Sequence, residues 1–130
     1  MTEKKLVGEA PRPAFQEQVK SLPYKIRIHL RVGDGKDVFG PGIAELLEGI
    51  KQYGSLLHAA EEMHMAYSKA WKALRKVEKN LGFALIFRQV GRGCGSSLTP
   101  EGEWFLNSYV AFLNDINSFA DENFEKYFSK

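Results

Sequence analysis

Residues 54–82 read GSLLHAAEEMHMAYSKAWKALRKVEKNLG. Glycines bound the stretch, and His64-Met65-Ala66 breaks it in the middle. Before the break, Leu56, Ala59, Ala60 and Met63 keep the spacing of a short helix's inner face, and Ser55 stands where an N-cap belongs. The small Ala59 and Ala60 let another helix come close. The break asks for a left-handed backbone residue. Glycine is the usual one, and His64 is among the few side chains that tolerate that region. After the break, a second helix is predicted from Tyr67 to Asn80. On a wheel of 100° per residue, Ser68, Lys69, Lys72, Arg75, Lys76 and Lys79 fall within about a third of the circle. Tyr67, Ala70, Trp71, Leu74, Val77 and Leu81 fall opposite, so Trp71 and Leu74 are expected to anchor the helix to a core.

The flanks extend the pattern. Upstream, Gly40-Pro41-Gly42 opens a helix whose face is Ile43, Leu46, Leu47, Ile50 and Tyr53. Gly54 ends it, free to take positive φ. Before that, residues 24–32, YKIRIHLRV, alternate apolar and basic, which predicts a half-buried strand. GDGKD then predicts a turn, and Val38-Phe39 a short return strand. The basic row of Lys25, Arg27, His29 and Arg31 is read as an ordinary solvated sheet face. Residues 1–22 contain prolines, lack clear periodicity and read as a tail.

Downstream, ALIFRQV, GRGCG and SSLT predict a hairpin with a glycine-rich tip. Thr99 then caps a last helix with Pro100 at its first position and Glu101 near the positive end of the dipole. In that helix Phe105, Tyr109, Phe112, Ile116 and Phe119 form one apolar seam. Leu106, Val110, Leu113, Ala120, Phe124 and Tyr127 form another beside it. Two seams exceed what one small domain needs, so the first is assigned to homodimerisation. The alternative is that the chain covers both seams itself, with help from the tail.

Charge sharpens the picture. The net charge of the 130 residues is only +2, but it is unevenly spread. From Tyr67 to Arg92 seven basic residues face one acid, Glu78, whereas from Pro100 onward six acids face two lysines. A local basic patch of this kind suits a polyanion. The single cysteine, Cys94, allows no intrachain disulfide and no multi-cysteine metal site. No apolar run reaches the ~18 residues of a membrane span, and the N-terminus lacks the apolar stretch of a secretory signal. The expectation is a cytoplasmic protein.

The order of elements is that of a winged helix-turn-helix: mainly α, with small β-hairpins (α+β) and a long C-terminal helix. The expected organisation is a tail over 1–22, the winged domain with its N-terminal hairpin over 23–99, and a dimerisation helix over 100–130. The basic helix, about 67–80, is the recognition helix for a DNA major groove, and the wing, about 89–97, reaches the adjacent minor groove or backbone. Ser68, Lys69 and Lys72, near the helix start, are assigned to base edges. Arg75, Lys76 and Arg92 are assigned to phosphate or the minor groove, and Tyr67 to core, phosphate or both. Ser55 completes the DNA-binding set.

These residues also carry a family resemblance. GSLLHAAEEMHMAYSKAWKAL, LIFRQVGRGCGSSLTPEG and the earlier VFGPG together resemble the N-terminal DNA-binding domain of the ModE family of molybdate-responsive regulators. The resemblance spans roughly Lys25 to Leu113. More distantly, the helix-turn-helix resembles that of LysR-type regulators. The ModE pattern has Gly where this chain has His64, and Ser where it has Ala66, so the basic helix is expected to be poorly capped. Its wing is richer in Gly and carries Lys, where this chain reads GRGCGSS. In full-length members of that family, separate C-terminal β-rich domains bind molybdate. This chain leaves no room for them. The resemblance therefore implies binding of double-stranded DNA and homodimerisation, with no cofactor and no molybdate site in this chain.

Two other classes stand against this reading. One is a winged-helix protein–protein interaction module that meets an acidic partner with the same basic face. The other is an enzyme. His29, His58, His64 and Cys94 are the residue types a nucleophile or base would need, but no spacing links them into a dyad. GRGCG is no dinucleotide fingerprint, because no helix follows it at once. Catalysis is not expected.

Overall fold

The computed structural model of the chain describes residues 13–32, 36–87 and 95–128. Its elements run α1 (Pro13–Ser21), β1 (Leu30–Val32), β2 (Lys36–Phe39), α2 (Pro41–Tyr53), α3 (Leu56–Glu62), α4 (Tyr67–Leu81), β3 (Ile86–Phe87), β4 (Ser97–Leu98) and α5 (Pro100–Phe128). The chain divides into two compact units, Arg27–Leu113 and the pair of segments Met1–Ile26 with Asn114–Lys130.

In the larger unit, α3 packs against both α2 and α4. Helix α2 begins at Pro41 and ends where Gly54 turns left-handed at φ 70°, its N–H donating to the Ile50 carbonyl. Ala44, Leu46, Leu47 and Ile50 are buried, and Ile43 packs partly against them. Tyr53 departs from the expected inner face. It lies at the surface, its ring stacked on His58 with centroids 3.9 Å apart. Ser55 caps α3 as its sequence position predicts, its Oγ accepting the His58 N–H at 3.1 Å. Helices α2 and α3 meet at small residues. A Cβ added at Gly49 would lie 2.6 Å from the Ala59 Cβ.

The turn between α3 and α4 rests on His64. It takes φ 55° and is the only non-glycine residue with positive φ among those described. Ala66 stands at the N-cap of α4 with no side-chain hydrogen bond, as the missing hydroxyl implies. Gly82 closes the helix at φ 88°.

The strands of both predicted hairpins pair among the described residues. β1 pairs antiparallel with β2, Leu30 opposite Phe39 and Arg31 opposite Asp37, with an irregularity between Leu30 and Arg31. The strand predicted over 24–32 is thus paired only at its end. β2 has four residues, too few to pair with the whole run. Residues 23–29 have no assigned secondary structure, yet Ile26, Ile28 and Leu30 are more buried than the basic residues between them. The Ile28 carbonyl is taken instead by the Tyr109 hydroxyl at 2.7 Å. β3 pairs antiparallel with β4, Ile86 opposite Leu98 and Phe87 opposite Ser97.

Helix α5 starts as its LTPEG motif prescribes. The Thr99 Oγ1 accepts the Gly102 N–H at 2.8 Å and donates to the Ala84 carbonyl at 2.7 Å. Gly102 faces β3 so closely that a Cβ there would lie 2.1 Å from the Leu85 carbonyl oxygen. Two residues assigned to a dimer seam also pack on the domain's own core. Tyr109 is 3% exposed, and Phe105 packs its ring 4.8 Å from that of Phe39. From α5, both rings pack on Phe39 of β2. Phe112 and Phe119 remain exposed, and Ile116 is half-buried.

In the smaller unit, the stretch read as an unpatterned tail contains α1. Pro13 sits at its first position, where the missing N–H costs nothing. Lys20 lies 4.0 Å from Glu125, and Tyr24 stacks on Phe124 at 4.3 Å while its hydroxyl donates to Asp121. Part of the second α5 seam is therefore covered by the chain's own N-terminal segment.

Candidate nucleic-acid interface

Helix α4 splits cleanly by burial. Ala70, Leu74 and Val77 are buried, whereas Tyr67, Ser68, Lys69, Lys72, Arg75, Lys76 and Lys79 are exposed. Among the described residues, no ion pair is formed by the five cations. The helix therefore brings six of the eight predicted DNA-contacting residues onto one element. Ser55 is elsewhere, at the N-cap of α3, with its oxygen engaged by that cap. Arg92 lies outside the described residues, as do Arg88, Cys94 and the tip of the predicted wing.

Glu78, the one acid of the helix, points inward. It is 7% exposed, and its Oε2 accepts the backbone N–H groups of Leu85 at 2.7 Å and Ile86 at 3.2 Å. This role was not read from sequence, where Glu78 counted only as a lone negative charge. The signal was its position near 20° on the wheel, inside the apolar arc. Two consequences follow. The carboxylate fixes the start of β3 to the last turn of α4. It also leaves the solvent face of the helix without an acid.

Trp71 differs from expectation as well. It is half-buried and packed against the edge of the core, not within it. It sits between the apolar arc and Arg75, whose guanidinium carbon lies 6.0 Å from the indole centroid. At the far end of the helix, Arg75, Lys76, Glu78 and Lys79 with Gly82, Phe83 and Ala84 frame a shallow cleft of about 690 Å³.

The base of the predicted wing is tied to the helix-turn-helix. Ser96 N–H donates to the Gly54 carbonyl at 2.8 Å, and the Ser96 Oγ accepts from Leu56 N–H at 3.4 Å. A Cβ at Gly95 would lie 2.4 Å from the Gly54 oxygen. The strand leaving the wing is thus held on the turn between α2 and α3.

Of the histidines named above, His58 stands 3.8 Å from Glu62 and His64 forms the turn. Among the described residues, no three His, Cys, Asp or Glu gather in a way that would hold a metal ion. No described helix is long and apolar enough to cross a membrane.

Three helices with a tight turn, a hairpin after the third and a long closing helix make this a winged helix-turn-helix domain. Residues 44–103 match the family model described as bacterial regulatory helix-turn-helix protein, lysR family. That is the more distant of the two resemblances seen in the sequence, and the match does not extend to the ModE family in particular. Among solved structures, a probable transcriptional regulator from Pseudomonas aeruginosa is similar at 20% identity and a TM-score of 0.47. The similarity covers 62% of this chain and 26% of that one, so the chain spans about a quarter of the regulator's length. No curated protein matches.

Proposed function

We propose that this chain is a DNA-binding transcriptional regulator that sets α4 in the major groove of double-stranded DNA. One observation carries the reading: the exposed arc of Lys69, Lys72, Arg75, Lys76 and Lys79 on the second helix of the helix-turn-helix, with Glu78 turned away from it. The match of residues 44–103 to the lysR-family helix-turn-helix supports it. A helix of 15 residues is about 22 Å long, longer than the ~12 Å width of the major groove. Its first turns therefore meet base edges through Ser68, Lys69 and Lys72, while Arg75 and Lys76 meet the phosphate walls. Each neutralised phosphate releases counterions, so binding weakens as salt rises. The wing, residues 89–97 with Arg92, lies along the neighbouring minor groove or backbone. The motifs VFGPG and LTPEG support a ModE-like version of this reading.

The same reading includes a homodimer. Phe112 and Phe119 are exposed on α5, and Trp104, Phe105, Ser108 and Phe112 line an apolar groove of about 260 Å³ with Leu30 and Tyr109. A second copy would cover these rings. Sedimentation at rising concentration tests this. The expected result is a dimer that Phe112→Glu shifts to monomer.

DNA binding is tested by fluorescence anisotropy with duplexes at two salt concentrations. Wild-type protein should bind with a steep salt dependence. Replacing Lys72 and Arg75 with alanine should weaken binding and flatten the log K against log salt slope by roughly 1 to 2. A protein that ignores every duplex at low salt would instead use this face on an acidic protein partner.

A further inference from the structure

The cations of α4 do not account for the aromatic pair beside them. Tyr67 and Trp71 stand one turn apart at the start of the helix. Their rings are inclined by only 15°, with centroids 6.5 Å apart. Tyr67 is 48% exposed and Trp71 half-buried. Ala70, Leu74 and Val77 are the buried apolar residues of the helix, and Trp71 packs against the core only in part, so much of the two rings is left at the surface. Arg75, another turn on, lies against the indole and continues the row. The aromatic row thus borders the basic arc along the turns that a recognition helix points at base edges.

We infer that Tyr67 and Trp71 read thymine methyl groups in the major groove. The inference rests on the DNA-binding reading and assigns part of its sequence selectivity. Thymine is the base that presents a methyl group there, and apolar side chains recognise it by contact. Lysine and arginine favour the acceptors of guanine. A face of cations alone would therefore select G·C pairs or only phosphate. The two rings supply the missing preference for A·T pairs, and the Arg75 guanidinium steadies the indole in place. Ser68 and Lys69 lie beside the pair for polar contact with the same or adjacent bases.

The test starts with a randomised duplex pool from which the full chain selects its preferred sequence. Each thymine of that duplex is then replaced in turn by deoxyuridine, which removes the methyl group and nothing else. One or two replacements should weaken binding about fourfold each, the effect of one buried carbon. Tyr67→Ala, at an exposed position, should keep its circular dichroism spectrum and lose the thymine preference at one of those positions. Deoxyuridine tolerated at every position would overturn the inference and leave DNA binding intact. So would a Tyr67→Ala, Trp71→Gln protein that is folded and still prefers thymine. A pool from which nothing is enriched overturns the inference together with sequence-specific DNA binding.

Discussion

The Glu78 carboxylate accepts the backbone N–H of Leu85 at 2.7 Å, and through this contact α4 holds the start of β3. The same oxygen takes the Ile86 N–H. Glu78→Ala would leave two buried amides without an acceptor. Each costs about 1–3 kcal/mol, so the variant should lose roughly 2–6 kcal/mol of unfolding free energy. Urea unfolding measures it. An unchanged midpoint would mean that water or a neighbour replaces the carboxylate.

Ala66 stands at the N-cap of α4 with φ −64° and ψ 142°, an extended conformation that suits a capping side chain. Ala66→Ser should therefore stabilise the protein by about 1 kcal/mol. A rise of several degrees in Tm is the expected readout. A fall would show that the hydroxyl does not reach the free amides of the first turn.

Gly102 reverses the usual rule for glycine in a helix. Alanine is ordinarily better by about 1 kcal/mol. Here the added Cβ would lie 2.1 Å from the Leu85 carbonyl, a backbone atom that cannot swing aside. Gly102→Ala should destabilise, and thermal unfolding decides the sign. Gly95→Ala should do the same through the Gly54 carbonyl. It should also weaken DNA binding in surviving folded protein, because the wing loses its seat on the helix-turn-helix.

His64 at φ 55° is under mild strain that a β-branched residue would increase. His64→Val should cost about 1–2 kcal/mol, whereas His64→Gly should stay within about 1 kcal/mol of wild type. Chemical denaturation of the two variants side by side provides the measurement. Equal losses would point to the imidazole itself and not the backbone.

Tyr109 makes a prediction in pH. Burial raises its phenol above the ordinary tyrosine value of 10.0, so the folded state favours the neutral, hydrogen-bonded form. Its contribution is complete below the unfolded value and is lost as the pH rises from there through the folded value. Tyr109→Phe should cost about 1 kcal/mol at neutral pH, since the Ile28 carbonyl loses its donor. It should also make stability less sensitive to alkali. A wild-type alkaline profile in the variant would remove Tyr109 from that transition.

The helix-turn-helix was legible because its signals are local. Gly54, Ser55 and His64 fix backbone angles or cap a helix within a few residues, and the apolar spacing of α2, α3 and α4 needs no partner to be seen. The exposed basic arc is equally a property of one helix. Legibility failed where a residue's fate depends on what lies beside it. Residues 24–29 alternate like a strand but lack a long enough partner in β2. The 13–21 segment has little periodicity of its own, yet it forms α1 where Lys20 and Tyr24 find partners on α5.

The sequence by itself determined the order of elements, the turns between them and the one-sided charge of α4, because periodicity, capping and glycine geometry act over one or two turns of chain. Only the tertiary structure decided which apolar and acidic residues face inward. It turned Glu78 into the core to meet the amides of Leu85 and Ile86, moved Trp71 out to the rim beside Arg75, and packed Phe105 and Tyr109 onto Phe39. A wheel gives a side chain's direction, but burial depends on how much surface the neighbouring elements supply.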